Sequence, residues 1–191
     1  MAKSNGIVSA LLDILLAVVR SGRTQERTPN TQRPQAHLRK GTPTNAVVDP
    51  GRVVGTATMS IDPAGIRDLR IAYAPDRDGA PDAGEVVWTW VPYEENDGRG
   101  KDRPVLVIGR QSAERVYAVR MTSRAHDGDR DFLSIGSGAW DSQGRESWVD
   151  IEQLYSVHEQ GLRREAAVLD RPRYGRVAQA LSRRYGWSAA G

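Results

Sequence analysis

The chain has 191 residues, a formal net charge of +3 and no cysteine, a length that suits one folded domain and an additional segment. The absence of cysteine excludes disulfides, thiolate metal sites and a thiol nucleophile, and it is compatible with a cytoplasmic protein. Three histidines lie far apart without metal-ligand spacing, so no metal site and no cofactor are predicted. Hydrophobic residues make up only 39% of the chain, which indicates that part of it does not fold compactly.

Residues 1–20 contain an apolar stretch, "NGIVSALLDILLAVVR", whose Ile7, Leu11 and Leu15 repeat with helical spacing. The stretch is shorter than the roughly 20 residues that span a bilayer, and Asp13 interrupts it. We therefore predict an amphipathic helix that packs on the domain or on a second copy of itself, without stable membrane insertion.

Residues 21–67 are predicted to be a basic, largely disordered linker. Between Arg20 and Arg52 there are seven basic residues and two acidic ones, with few apolar positions. Such a composition buries too little surface to offset the entropy of ordering. The remainder of the chain is net negative, so any basic surface on the folded domain must be a local patch.

From residue 68 onward the pattern changes to short strands separated by Gly, Asp and Ser turn signals. Residues 84–91 alternate, whereas Val105 to Ile108 form a continuous apolar run typical of a strand buried on both faces. The end of the chain reads as a helix that Asp170 caps, with Pro172 in its first turn. The pattern predicts one mainly β domain, residues 68–187: a small barrel or curled sheet with a C-terminal helix.

Arg103 stands where a charged loop enters the buried strand, directly before Pro104. A guanidinium fixed at that position can present a fork of donors to a phosphate or carboxylate. The following strand ends in "MTSRAHD", whose Thr122 can supply a hydroxyl at the same edge of the sheet. The pattern alone also allows an ordinary surface ion pair of Arg103 with Asp102 or Glu85. It equally allows turn-forming roles for Thr122 and Ser123, and a solvated loop position for His126, which follows with Arg124 and Asp127.

Five segments together resemble the MazF/PemK family of toxins from type II toxin–antitoxin systems. They are "GEVVWTWVP", "RPVLVIGR", "AVRMTS", "GRESWVDIEQLYSV" and "LDRPRYGRVAQAL". Their order and spacing cover about residues 84–182, and the N-terminal 67 residues have no counterpart in the short members of that family.

The resemblance implies an SH3-like β-barrel that forms a homodimer and acts as a metal-independent endoribonuclease on single-stranded RNA, inhibiting translation and growth. It also implies a cognate antitoxin with an acidic, disordered tail. Arg103 matches the family's catalytic arginine and Thr122 its catalytic threonine or serine. Ser123, Arg124, His126 and Asp127 are candidates for supporting roles. The expected RNA-binding residues are Arg99, Lys101, Arg120, Arg130 and Ser147.

One loop departs from the family pattern. Where the family usually has a stretch similar to Ser-Glu-Gln-Gly, this chain has "YEENDGRGKD", with four carboxylates in residues 94–102. An acidic loop beside the RNA path would repel phosphates and weaken cleavage, change the recognised sequence or accompany loss of activity. Trp88, Trp90 and Trp140 are candidates for stacking on bases, although alternation favours the core for Trp88 and Trp90.

Two further hypotheses therefore stay open. The first is a catalytically weak or inactive barrel that binds a partner peptide or nucleic acid. The second is a membrane- or complex-tethered regulator in which residues 5–20 are the functional element.

Overall fold

The computed structural model of the chain describes residues 50–190, apart from residues 77 and 96. The predicted N-terminal helix and the linker up to residue 49 lie outside the described residues. Within the described part the chain is mainly β, with one α-helix near the C-terminus. None of the helices in that part is long and apolar enough to cross a membrane.

Ten strands and one helix follow each other along the described chain. They are β1 (Met59–Ile61), β2 (Arg70–Ala72), β3 (Glu85–Pro92), β4 (Gly100–Arg110), β5 (Arg115–Thr122), β6 (Phe132–Gly136), β7 (Ser147–Asp150), β8 (Leu154–His158), β9 (Leu162–Val168), α1 (Arg171–Tyr185) and β10 (Ser188–Ala190).

The central strand β4 is buried on both faces, as its continuous apolar run predicts. Val105 and Val107 belong to one hydrophobic cluster, with residues of β3, β5 and β8. Leu106 and Ile108 belong to the other, together with residues of α1. All four side chains are fully buried, so β4 separates two cores.

The main sheet is antiparallel and open, which corrects the expectation of a closed barrel. Its strands follow the order β1-β8-β5-β4-β3-β9, and off this path β7 pairs with β5 and β6 pairs with β7. Among the strands that the structure describes, β1 pairs with β8 and β9 pairs with β3, and these two end strands do not pair with each other. A three-residue β1 is too short to close a barrel.

Residues 50–67, which the sequence analysis assigned to the linker, belong instead to the folded unit. Met59 to Ile61 add β1 to the edge of β8. Before that strand, the hydroxyl of Thr58 donates to Thr89 Oγ1 over 2.7 Å, and Thr89 in turn donates to the carbonyl of Gly161 over 3.0 Å. Gly161 permits the approach, because a Cβ there would lie 2.5 Å from the carbonyl oxygen of Thr56. These buried hydrogen bonds attach the segment to Thr89 of β3 and, through it, to the turn between β8 and β9.

Helix α1 begins as its sequence predicts. The Asp170 carboxylate accepts the backbone N–H of Arg173 over 2.9 Å, and Gly186 ends the helix with a φ of 75°. The sequence analysis missed β9 and β10. Strand β10 pairs in parallel with β2, and the indole N–H of buried Trp187 donates to the carbonyl of Ile66 over 2.7 Å.

Tyr174 links α1 to two strands, and its replacement tests that link. Its hydroxyl lies 3.1 Å from the carbonyl oxygens of both Ala72 and Ile108, and burial raises the pKa of Tyr174. Because Tyr174→Phe leaves these carbonyls without their donor, the free energy of unfolding should fall by about 1–3 kcal/mol. Urea denaturation measures the change.

The matched control is Tyr93→Phe, because the half-buried Tyr93 makes no side-chain hydrogen bond with the described residues. The midpoint of urea unfolding of this control should equal that of the wild-type protein. Equal stability of both variants would contradict a role for the Tyr174 hydroxyl.

Candidate active site

Strands β4 and β5 separate at one end, and the gap forms a cavity. The last residues that pair there are Val105 and Arg120. Beyond them β5 pairs on its other side with β7, where Thr122 lies opposite Trp148. Arg103 and Thr122 each lie two residues past the last β4–β5 pair, and both line a cavity of about 260 Å³. The two residues predicted to be catalytic are thus brought to one place.

The guanidinium of Arg103 is not held by either acidic partner considered from the sequence. Asp102 instead forms an ion pair with Arg163, with 3.1 Å between Oδ2 and Nε. The carboxylate of Glu85 accepts the backbone N–H of Asp82 over 3.1 Å. Arg103 is half-buried, and its side chain makes no hydrogen bond or ion pair with the residues between 50 and 190 that the structure describes. A half-buried cation in this state is available to an anion in the cavity.

The hydroxyl of Thr122 retains its proton for a ligand. Its oxygen accepts the backbone N–H of Arg124 over 3.1 Å, which orients the side chain at the end of β5. A hydroxyl is both donor and acceptor, so the O–H can still donate into the cavity. The exposed Ser123 also lines the cavity.

The other candidates for supporting roles lie outside the lining of the cavity. Arg124 and Asp127 are exposed. The ring of His126 stacks on Phe132, with centroids 3.5 Å apart, and its Nδ1 lies 3.4 Å from a carboxylate oxygen of Asp129. Packing therefore directs His126 to its own loop.

The expected RNA-binding residues divide according to their partners. Lys101 is exposed and lines the cavity, whereas Arg130 is exposed but lies elsewhere. Ser147 lines the cavity too, but it is buried, and its hydroxyl accepts the indole N–H of Trp140 over 3.0 Å.

Two further arginines of that set are neutralised by carboxylates. Arg99 Nε lies 2.6 Å from Asp97. Arg120 lies 2.6 Å from the buried Asp150 and 3.7 Å from Glu94. The acidic loop therefore supplies the carboxylate that pairs with Arg99 and a second, more distant one for Arg120, so less positive charge than predicted faces a ligand.

The sequence analysis missed a third cation at the cavity. Arg145 lines it from the loop before β7, where its Nε lies 2.8 Å from Asp141. The backbone N–H of Gln143 and the Arg145 guanidinium hold the pKa of Asp141 below its usual value. No local pattern indicates this placement, because it depends on the pairing of β7 with the end of β5.

The three tryptophans considered for stacking occupy different environments. Trp140 is buried, and Trp88 is half-buried and lines the cavity. Trp90 is half-buried beneath the guanidinium of Arg52, which lies 5.2 Å from the centroid of the indole ring. Trp88 is thus the tryptophan with both exposure and a position beside Arg103.

Among the described residues, no group of three or more histidine, aspartate or glutamate side chains is arranged to hold a metal ion.

Residues 82–184, which include the whole cavity, match the profile of a family described as PemK-like, MazF-like toxin of type II toxin–antitoxin system. The chain belongs to this toxin family.

Solved structures of MazF-like proteins also resemble the chain, at low identity. An endoribonuclease in complex with its cognate antitoxin from a Mycobacterial species is 16% identical, with a TM-score of 0.45 over 56% of this chain and 96% of that one. MazF (Form-I) from Deinococcus radiodurans is 22% identical, with a TM-score of 0.46 over 56% and 97%. MazE–MazF (Form-II) from the same organism is 23% identical, with a TM-score of 0.44 over 56% and 96%. A comparison with curated protein sequences finds no match.

Ser147 supports the wall of the MazF-like cavity through Trp140, and this role can be separated from RNA binding. Ser147→Ala removes the acceptor of a buried indole N–H, so the free energy of unfolding should fall by about 1–3 kcal/mol. Urea denaturation, monitored through tryptophan fluorescence, measures this loss.

The matched control is Ser142→Ala, because the exposed Ser142 lines the same cavity without a side-chain hydrogen bond to the described residues. It should leave the stability unchanged. An undiminished stability of Ser147→Ala, together with weaker RNA binding, would show that Ser147 acts on RNA directly.

Proposed function

We propose that the protein is a metal-independent endoribonuclease toxin that cleaves single-stranded RNA and so inhibits translation. The observation that carries the proposal is the guanidinium of Arg103, unpaired among the described residues, at the same cavity as the hydroxyl of Thr122. Membership of a toxin family supports it, since the family profile covers both residues.

In the proposed reaction the ribose 2′-hydroxyl attacks the adjacent phosphorus while the bond to the 5′-oxygen breaks. The attacking hydroxyl loses its proton, and the leaving oxygen gains one. The products are a 2′,3′-cyclic phosphate and a free 5′-hydroxyl, and water does not take part in this step. Negative charge grows on the phosphoryl oxygens along the way, so fixed donors aimed at them lower the barrier.

Arg103 is assigned the role of this fixed cation. Guanidinium groups stay protonated at neutral pH, so Arg103 neutralises charge and donates hydrogen bonds rather than acting as a base. Because it is half-buried and unpaired among the described residues, no protein carboxylate competes with the phosphate. Thr122 donates its O–H to a non-bridging oxygen, Lys101 attracts the backbone, and Trp88 offers its indole to a base.

The partners follow from membership of a type II toxin–antitoxin family. We assign a cognate antitoxin with an acidic tail, a homodimeric assembly and a cytoplasmic location. The antitoxin would neutralise the toxin by covering the RNA path, where its carboxylates compete with phosphate for Arg103.

The decisive experiment is cleavage of a defined single-stranded RNA in EDTA, with analysis of the product ends. Wild-type protein should produce cyclic phosphate and 5′-hydroxyl termini. Arg103→Ala and Thr122→Ala should each lower the rate, Arg103→Ala by about 10²–10³-fold, because a preorganised donor to the transition state is lost.

Arg183→Ala is the matched control, since Arg183 is an exposed arginine of α1 outside the cavity. It should cleave at the wild-type rate, and circular dichroism should show that all variants are folded. Cleavage that requires a divalent cation, or that survives Arg103→Ala, would refute the proposed mechanism.

The acidic loop supports a second candidate, a MazF-like protein that binds RNA or a peptide without efficient cleavage. Asp97 pairs with Arg99, and Glu94 lies 3.7 Å from Arg120, whose closer partner is Asp150, so few of the expected cations are left to attract RNA. This candidate predicts that the wild-type protein binds single-stranded RNA but leaves it intact in EDTA.

The cost of the acidic loop to RNA binding can be measured directly. Glu94→Gln removes a carboxylate whose side chain is 66% exposed without removing the Asp150 partner of Arg120. The affinity for a fluorescent single-stranded RNA should rise about threefold at low ionic strength and converge with wild type at high salt. Fluorescence anisotropy at several salt concentrations measures it.

Asp76→Asn serves as the control, because Asp76 is exposed and lies outside the cavity and the loop. An equal gain in affinity for both variants would mean that net charge, rather than the position of Glu94, sets the affinity.

A further inference from the structure

A second and larger cavity lies on another part of the domain. It is a surface groove of about 690 Å³ between the chain around β2 and the turn that joins β4 to β5. We call it the β2 groove. It shares no lining residue with the cavity of Arg103 and Thr122. One wall consists of residues 65–74, which precede the part of the chain that matches the toxin family. The groove is therefore formed jointly by the segment before the matched family region and by residues within that region.

The polar groups in the β2 groove are mainly donors. Arg67 and Arg70 are exposed, and neither side chain forms a hydrogen bond or ion pair with the described residues. The half-buried Tyr117 likewise makes no side-chain hydrogen bond within that part of the chain. Gln111 accepts the hydroxyl of Ser156 through its Oε1, so its amide N–H groups are left to donate. Guanidinium, phenol and amide donors together favour an anionic ligand.

Carboxylates also border the groove and restrict the choice of ligand. Asp82 holds Arg110 at 3.1 Å, so that pair is internally balanced, whereas Asp68 is exposed. Single-stranded RNA would bring phosphates close to both carboxylates and would find one aromatic side chain, that of Tyr117, among the lining residues. These features disfavour RNA, which requires a continuous basic track and stacking surfaces.

The walls between the charged groups suit an extended peptide. Leu69 and Val116 are buried apolar residues at the base of the groove. At Gly109 the β2 chain comes so close that a Cβ would lie 3.0 Å from the carbonyl oxygen of Arg70. Several small residues open the rest of the wall to the backbone of a ligand, and apolar pockets with few polar groups are typical of peptide recognition. They are Gly65, Ala72, Ala74 and Ala83.

We propose that the β2 groove is a docking site for an extended acidic peptide segment with apolar side chains, and that the antitoxin supplies this segment. Arg67 and Arg70 pair with its carboxylates, and Leu69 and Val116 receive its apolar side chains. The choice of the antitoxin as the source rests on the proposed toxin function, whereas the chemistry of the docking site does not. Because the wall around β2 lies outside the matched family region, this contact distinguishes the cognate antitoxin from those of other family members.

The test uses the full chain and a fluorescein-labelled peptide of alternating glutamate and leucine. Its binding is measured by fluorescence anisotropy, with an alternating lysine and leucine peptide as the charge-reversed probe. The acidic peptide should bind wild-type protein and the basic one should not. The double variant Arg67→Ala, Arg70→Ala should bind the acidic peptide with an affinity lower by about tenfold or more, since two charge-assisted contacts are lost.

Two controls separate the β2 groove from the proposed active site. Arg176→Ala, in an exposed arginine of α1 outside the groove, should bind the peptide as wild type does. Arg103→Ala should still bind the acidic peptide although it loses RNA cleavage. The double variant Arg67→Ala, Arg70→Ala should still cleave RNA. Amide chemical shifts of the labelled protein should change around Arg70 and Tyr117 on addition of the peptide.

Three outcomes would overturn the proposal: no binding of the acidic peptide, equal binding by the double variant, or chemical-shift changes confined to the surroundings of Arg103. Peptide binding at the β2 groove by a protein that does not cleave RNA would instead reject the toxin function and retain the docking site.

Discussion

The separation of β5 from β4 is the constraint on which the candidate site depends. Up to Val105 and Arg120 the two strands pair continuously apart from one bulge, and two further pairs would place Thr122 opposite Arg103. Because β7 pairs with the other edge of β5 at Thr122, the strand is held in place after it leaves β4. The guanidinium of Arg103 at this opening pairs with no carboxylate of the part of the chain that the structure describes. A cation of this kind combines a fixed position with an unsatisfied charge, the two properties that stabilise a charged transition state.

The segment before the family-matched region is part of the same folded unit. Thr58 joins it to β3 through buried hydroxyls, and Trp187 joins it to the end of the chain through the carbonyl of Ile66. Each link crosses a large distance in sequence, so the segment contributes to the core instead of acting as a tether. It also builds one wall of the β2 groove. One addition to the fold thus stabilises the domain and creates a surface that the matched region alone would not have.

Much of the central sheet could be predicted because its signals are local. The run from Val105 to Ile108 has the pattern of a doubly buried strand, and Asp170 followed by Pro172 marks the start of a helix. The openness of the sheet, the strand at Met59–Ile61 and the short parallel pair of β2 and β10 could not be predicted, because they depend on contacts between distant segments. Each of these three strands has only three residues, so hydrophobic periodicity carries little information about them.

The same division between local and distant contacts explains the candidate site. Thr122 is the last residue of β5 and Arg103 lies near the start of β4, so their shared location follows from two adjacent strands. The behaviour of Arg120 does not follow, because its partner Asp150 comes from β7. Positive residues counted along a sequence therefore overstate the charge that a ligand meets. In this domain, carboxylates from the acidic loop and from β7 bind arginines that composition alone would assign to RNA. What remains is a small number of unpaired cations, and their positions rather than their number determine which anion each cavity can hold.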